Sequence, residues 1–71
     1  MRIRYDREAD ILMIILRDDP PVDSVEERGV ITSYGENGAP VSVEFLHTSK
    51  KEIIKKGSLD VTLESIINPV L

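Results

Sequence analysis

The sequence predicts an α+β domain: an antiparallel β-meander of four to five strands, then one short helix and a C-terminal helix or extended tail. Three observations favour this class. Short apolar or alternating segments fill residues 2–46, turns rich in Gly and Pro separate them, and a helix-capping pattern starts at Ser49. We expect a single domain over residues 1–71, with the meander at about residues 2–46 and the helical part at about residues 49–68.

The first two predicted strands flank an acidic connection. Residues 2–5 alternate polar and apolar side chains, which is typical of a half-buried strand. Residues 11–16 form a continuous run of branched or flexible apolar residues, which is typical of a strand buried on both faces. Between them, the side chain of Asp6 can accept backbone amide bonds in an Asx turn. We therefore interpret this acidic stretch as a turn, with Arg7 and Glu8 facing water.

Breaks and turns divide the middle of the chain into three further strands. Two prolines in residues 18–21 make that stretch a loop, because proline has no amide donor and restricts the residue before it. Residues 22–26 follow as a short polar edge strand, and residues 30–34 form the next strand. The Asn-Gly pair within residues 35–38 predicts a tight hairpin turn. Pro40 starts the last strand, in which one face is formed by Val41, Val43 and Phe45.

A helical pattern is predicted after the strands. Ser49 and Glu52 have the spacing of a capping box, so we expect a helix over residues 50–56, with Gly57 ending it. A second helix is indicated by Asp60 as a possible N-cap, by Pro69 as a stop and by apolar residues at helical spacing, namely Leu59, Leu63, Ile66, Ile67 and Val70. The alternation at residues 61–63 favours a strand instead, so this segment keeps two interpretations.

Composition excludes several classes of function. Nine basic and thirteen acidic residues give a net charge of −4, which argues against nucleic-acid binding. That function would have to use the lysines at positions 50, 51, 55 and 56. The chain has no cysteine, hence neither a disulfide nor a cysteine-based zinc site, which fits a reducing cytoplasm. Because the longest apolar run is far shorter than the about 20 residues of a membrane span, we expect a soluble cytoplasmic protein without a membrane partner.

Signals for chemistry are weak. Asp6, Glu8 and Asp10 alternate like the first ligands of a calcium loop, but the apolar run that follows replaces the remaining ligands. His47 is the only histidine, and a catalytic histidine needs a nucleophile and an orienting group. We therefore assign no catalytic residue and no cofactor, and favour a non-enzymatic role. The alternative is a small metal-binding protein or metal-dependent hydrolase that would use Asp6, Asp10, Glu44 and His47.

Several short motifs follow one another in a specific order. They are Tyr5-Asp6-Arg7-Glu8-Ala9-Asp10, Gly29-Val30-Ile31, Tyr34-Gly35-Glu36-Asn37-Gly38, Val41-Ser42-Val43-Glu44-Phe45-Leu46 and Ser49-Lys50. In combination they resemble the small prokaryotic family known as domain of unknown function 2283, over about residues 3–51. The resemblance implies a small β-rich protein without an established activity and, by analogy, an antitoxin-like or accessory role. The chain differs from the family pattern at Gly35 and near His47, where the family favours aspartates.

The apolar run carries the strongest functional prediction. Side chains alternate along a strand, so three of its residues face each side of the sheet. Each such side chain contributes about 1.5–3 kcal/mol when buried, yet the rest of the chain can cover only one side. A second copy is the economical cover for the other side, and a different protein could serve instead. We predict a non-catalytic protein-interaction module that acts as a homodimer, with an interface formed by Ile11, Leu12, Met13, Ile14, Ile15 and Leu16.

Overall fold

The computed structural model describes residues 1–67, and its architecture is all-β. The five strands are β1 (Arg2–Asp6), β2 (Ile11–Ile15), β3 (Asp23–Glu27), β4 (Val30–Tyr34) and β5 (Pro40–Phe45). They form one sheet in the order β1-β2-β5-β4-β3, and every neighbouring pair is antiparallel. The predicted α+β class is therefore wrong, whereas the five strand segments and the antiparallel sheet are confirmed.

The strand order also corrects the predicted meander. A meander would place β3 beside β2, but β5 occupies that position and β3 lies at the far edge. The physical reason is burial: a strand as apolar as β2 requires apolar neighbours on both sides, and β3 is exposed along its whole length. Residues 16–22 make the crossing, held by bonds from the amides of Leu16 and Val22 to the carbonyls of Val41 and Tyr34, at 2.7 and 2.9 Å.

A glycine with positive φ lies in each of the two hairpin turns that join β3 to β4 and β4 to β5. The β3–β4 hairpin has Arg28 and Gly29 between its strands, and both have positive φ (51° and 77°), as a type I′ turn requires. In the β4–β5 hairpin, the amide of Gly38 donates to the carbonyl of Gly35 at 2.9 Å, and Gly38 has φ 81°. The predicted Asn-Gly turn is thus confirmed, with the positive φ at the glycine.

The predicted helix over residues 50–56 is wrong. Its capping box does not form: the amide of Glu52 donates to the backbone carbonyl of Ser49 at 3.1 Å, and the Ser49 hydroxyl donates to the carboxylate of Asp10 at 2.6 Å. Two positions inside the expected helix, Glu52 and Lys56, have positive φ (61° and 53°), which interrupts helical backbone. The segment consists of turns, and residues 55–58 close a second type I′-like turn through two bonds between Lys55 and Ser58, each 2.9 Å long. A seven-residue helix has too few internal bonds to resist these competing contacts.

The C-terminal helix is also absent from the described residues. Residues 59–67 have neither helix nor strand, and most of their side chains are exposed. Their alternation of apolar and polar residues, together with the branched side chains of Val61 and Thr62, disfavours a helix. Pro69, the predicted stop, and residue 68, the predicted end of the helical part, lie outside the described residues. No helix among residues 1–67 is long and apolar enough to cross a membrane.

Candidate functional site

The acidic turn between β1 and β2 is joined to the segment that follows β5. We call this place the Asp10 corner, formed by Tyr5, Asp10, Thr48 and Ser49. The Asp10 carboxylate accepts bonds from the hydroxyls of Tyr5 at 2.7 Å and Ser49 at 2.6 Å, and from the Ser49 amide at 3.1 and 3.2 Å. Asp10 itself has φ 58°, a left-handed conformation that aspartate adopts more readily than most residues.

Thr48 completes the corner and is its only fully buried member. Its exposed fraction is 0%. Its hydroxyl lies 2.7 Å from the carbonyl oxygen of Asp10 and 3.1 Å from the carboxylate, and its amide donates to the same carbonyl at 3.2 Å. The carbonyl of Thr48 in turn accepts bonds from the amides of Ile53 and Ile54, at 3.0 and 3.3 Å. These bonds bring Ile54, one of the few buried apolar residues, to this end of the sheet.

Hydrogen bonding shifts the pKa values at the corner in opposite directions. The bond from the Ser49 hydroxyl, followed by that from Tyr5, stabilises the carboxylate and lowers the pKa of Asp10 to about 2. The bond that Tyr5 donates to Asp10 favours the protonated phenol, so the pKa of Tyr5 is raised. A carboxylate with so low a pKa is a poor general base near neutral pH, so Ser49 is not activated as a nucleophile. The arrangement fastens two parts of the chain together.

The structure separates the four residues predicted as alternative metal ligands. Asp6 forms the predicted Asx turn, accepting the amides of Glu8 and Ala9 at 3.0 and 3.1 Å. Asp10 is held in the corner, and His47 is exposed. Glu44 lines a hollow of about 460 Å³ with Asp6, but Arg4 lines it too and supplies a positive charge there. Among residues 1–67 no three His, Asp or Glu side chains lie close enough together to hold a metal ion.

The lysine-rich segment has a structural contact of its own. The Nζ of Lys51 donates to the carbonyls of Arg28 and Gly29, at 3.2 and 3.4 Å, across the β3–β4 turn. The amide of Leu46 also donates to Gly29, at 2.8 Å. The same segment reaches the Asp10 corner. It therefore spans one end of the sheet, from the β1–β2 turn to the β3–β4 turn.

The two sides of the sheet differ in character. Strand register and alternation place ten apolar or aromatic residues on one side, which we call the apolar face: Ile3, Tyr5, Leu12, Ile14, Val25, Val30, Tyr34, Val41, Val43 and Phe45. The opposite side, the mixed face, carries Ile11, Met13, Ile15 and Ile31 among charged and hydroxyl side chains. There Arg4 and Arg2 lie directly opposite Met13 and Ile15 on the neighbouring strand. The apolar face has charged strand residues only at its β3 edge, namely Asp23 and Glu27.

The predicted interface residues are therefore divided between the two faces. Leu12 and Ile14 belong to the apolar face, and Leu16 extends that alternation just beyond β2, with an exposed fraction of 37%. Ile11, Met13 and Ile15 belong to the mixed face. Of the ten apolar-face residues only Leu12 and Val41 are buried; Ile3 is 44% and Val25 53% exposed. The apolar strand residues that are more than a third exposed, Ile3 and Val25, are thus on the side of Leu12 and Ile14.

The corner residues Tyr5, Thr48 and Ser49 were not predicted from the sequence as partners of Asp10. The signal available was indirect, since Tyr5, Asp10 and Ser49 belong to the motifs that carry the family resemblance. Their separation in sequence, 38 or 39 positions between Asp10 and the Thr48–Ser49 pair, concealed the contact. The first and last of the family motifs thus meet at the Asp10 corner.

Comparison with known proteins identifies the family. The family model described as "Protein of unknown function (DUF2283)" matches residues 2–49, so the chain belongs to that family. The matched part begins with β1 and ends at Ser49, and therefore includes the whole sheet and all four members of the Asp10 corner. Neither a curated protein nor a solved structure shows significant similarity to the chain.

Proposed function

We propose that this member of the DUF2283 family is a non-catalytic protein-interaction module that acts as a homodimer through its apolar face. The observation that carries the proposal is the small number of buried apolar side chains. Among residues 1–67 the buried large apolar side chains are only those of Leu12, Val41 and Ile54. A chain of 71 residues without cysteine has no disulfide to compensate for so small a core, and proteins of this size commonly rely on a partner.

The architecture supports a second copy as that partner. Domains usually consist of two packed layers of secondary structure around one core, and the described residues provide a single sheet. Residues 46–58 span only one end of it. On the apolar face, Val25, Val30 and Tyr34 line an open hollow of about 400 Å³, together with the polar residues Glu27, Arg28 and Thr32. A second sheet packed on this face about a two-fold axis would supply the missing layer, as in a β-sandwich.

Sedimentation equilibrium at micromolar concentration tests the proposal. We expect a species of twice the 8.0 kDa chain mass. Val25→Asp places a charge on the apolar face at an exposed edge position, so it raises the dimer dissociation constant at least tenfold without unfolding the sheet. Ser24→Asp is the matched control, because it adds the same charge to the same strand on the mixed face and leaves the dimer intact.

Three results would contradict the proposal. A monomeric wild-type chain at these concentrations rules out the homodimer, and equal weakening by Val25→Asp and Ser24→Asp rules out the apolar face as its interface. A monomer that associates only when a second protein is added would replace the homodimer with the antitoxin-like role that the family resemblance implies.

A further inference from the structure

The C-terminal segment, residues 59–67, has the pattern of a strand but no strand partner among residues 1–67. Leu59, Val61 and Leu63 alternate with polar residues over residues 59–64, which is the period of a strand with one buried side. Val61 is 67% and Leu63 94% exposed, and no described hydrogen bond involves their backbone. The alternation therefore predicts that residues 59–64 pair with another strand, and the described residues of the single chain contain no such pairing.

The outer edge of β1 has the matching pattern. One side of β1 pairs with β2, and no described strand pairs with the other. Along that edge Arg2 and Arg4 belong to the mixed face, whereas Ile3 and Tyr5 belong to the apolar face. Laid alongside, residues 59–64 would bring apolar side chains to Ile3 and Tyr5 and their polar side, with Asp60, to the edge that carries Arg4. Arg2 already contacts Asp18 at 3.3 Å. Opposite-charge and apolar cross-strand pairs are those that stabilise antiparallel strands.

Charge selects this edge over the other one. The second open edge is β3, which carries Asp23, Glu26 and Glu27 and no basic residue. Residues 59–64 carry Asp60 and Glu64 and likewise no basic residue, so like charges would meet there. Like charges placed directly opposite on neighbouring strands are destabilising.

We infer that residues 59–64 of one copy add as a sixth strand to the β1 edge of a second copy, and that the two copies exchange these segments reciprocally. This inference rests on the proposed homodimer and adds a second contact to it. Adding a strand to an open edge is an established way for a chain to bind a sheet, and a reciprocal exchange closes the dimer about a two-fold axis. It also covers an edge that would otherwise invite uncontrolled strand addition.

The shape of the chain favours a second copy over the chain's own edge. The radius of gyration is 14.6 Å, compared with about 11 Å for a compact chain of this length, and the longest dimension is 49 Å. The segment does not pack its apolar side chains on the sheet that it follows, since Val61 and Leu63 are exposed. Nine extended residues reach about 30 Å, more than the about 17 Å length of a five-residue strand such as β1.

The charges also favour one register. In an antiparallel arrangement with Val61 opposite Ile3, Leu59 lies opposite Tyr5 and Asp60 opposite Arg4. Moving the segment by two residues, so that Leu63 lies opposite Ile3, would instead place Asp60 opposite Asp6. The first register makes the opposite-charge pair Asp60–Arg4 and no like-charge pair. The second makes the pair Glu64–Arg2 but also sets Asp60 against Asp6, so Ile3 and Val61 are the positions to link.

Engineered cysteines test the exchange directly, because the chain has no cysteine of its own. We expect the full-length double variant Ile3→Cys/Val61→Cys to give a covalent dimer under oxidising conditions on a non-reducing gel. The control Ser24→Cys/Val61→Cys offers the acidic β3 edge without altering the apolar face and stays monomeric on that gel. The single variants Ile3→Cys and Val61→Cys, which offer only symmetric links, stay monomeric as well. A double variant linked within one chain would show that the segment docks on its own edge, and the absence of any link would exclude the contact; either result overturns the exchange.

A charge reversal provides a second readout. Arg4→Glu should weaken the dimer about tenfold, since the altered pair occurs twice in a symmetric dimer, and adding Asp60→Arg should restore it. Lack of rescue would contradict the register. Failure here is distinguishable from failure of the proposed function. If the wild-type dimer is weakened by Val25→Asp but the cysteine variant forms no Ile3–Val61 link, the apolar interface is retained and the exchange is excluded.

Discussion

The Asp10 corner and residues 59–64 contain similar residues in different situations. Each contains an acidic residue beside apolar ones: Asp10 lies between Ala9 and Ile11, and Asp60 lies between Leu59 and Val61. At the corner, the rest of the chain supplies hydroxyl and amide donors to Asp10. Along residues 59–64, no described hydrogen bond or ion pair involves Asp60 or Glu64. Asp10 therefore has a structural role because the fold brings hydrogen-bond donors to its carboxylate, and Asp60 receives none from the described residues.

Removing a threonine hydroxyl should give the largest difference in unfolding free energy between the two regions. Thr48→Val keeps the shape of a fully buried side chain but removes its donor to Asp10, so we expect a loss of about 1–3 kcal/mol in the free energy of unfolding. Thr62→Val is the matched control in the exposed segment and should change stability by less than about 0.5 kcal/mol. Urea denaturation measures both variants, and equal losses would mean that the corner is not the stronger joint.

Asp10 and Asp60 should also differ in their effect on the pH dependence of stability. The pKa of Asp10 is about 2 in the folded chain, below the ordinary value of 3.8, so its bonds stabilise the fold fully above about pH 4. This contribution is lost as the pH falls through the folded value near 2. We expect Asp10→Asn to lower stability at neutral pH and to flatten its decline between pH 4 and pH 2. Asp60→Asn should keep the wild-type pH dependence; a wild-type slope in Asp10→Asn would contradict the assignment.

The smallest expected effect concerns the β3–β4 turn, which the segment after Ser49 also reaches. Gly38→Ala measures the cost of positive φ alone, about 1 kcal/mol, because a Cβ there meets no atom within 4 Å. Gly29→Ala has the same backbone cost, and its Cβ would lie 2.5 Å from the Lys51 Nζ. We expect Gly29→Ala to cost a few tenths of a kcal/mol more, since Lys51 must leave its carbonyl partners. Thermal denaturation compares the two variants, and equal losses would make the Lys51 contact energetically neutral.

Local patterns predicted most of the strands and turns. Alternation, apolar runs and glycine-containing turns depend on neighbouring residues, and they located the strands to within one or two positions and the Asx turn at Asp6. The helix over residues 50–56 was mispredicted for the opposite reason. The serine of its capping box bonds to Asp10, 39 positions earlier, and no pattern within a short window records that competition.

The sequence by itself determined where the chain extends and turns, that β2 needs cover on both faces and that no cysteine is available to reinforce a small core. Only the tertiary structure decided which strands pair. It placed β5 between β2 and β4, joined Ser49 to Asp10 and left β1 and residues 59–64 with complementary patterns. The physical reason is range: backbone preferences act over a few residues, whereas pairing depends on apolar burial and hydrogen-bond donors supplied from distant parts of the chain.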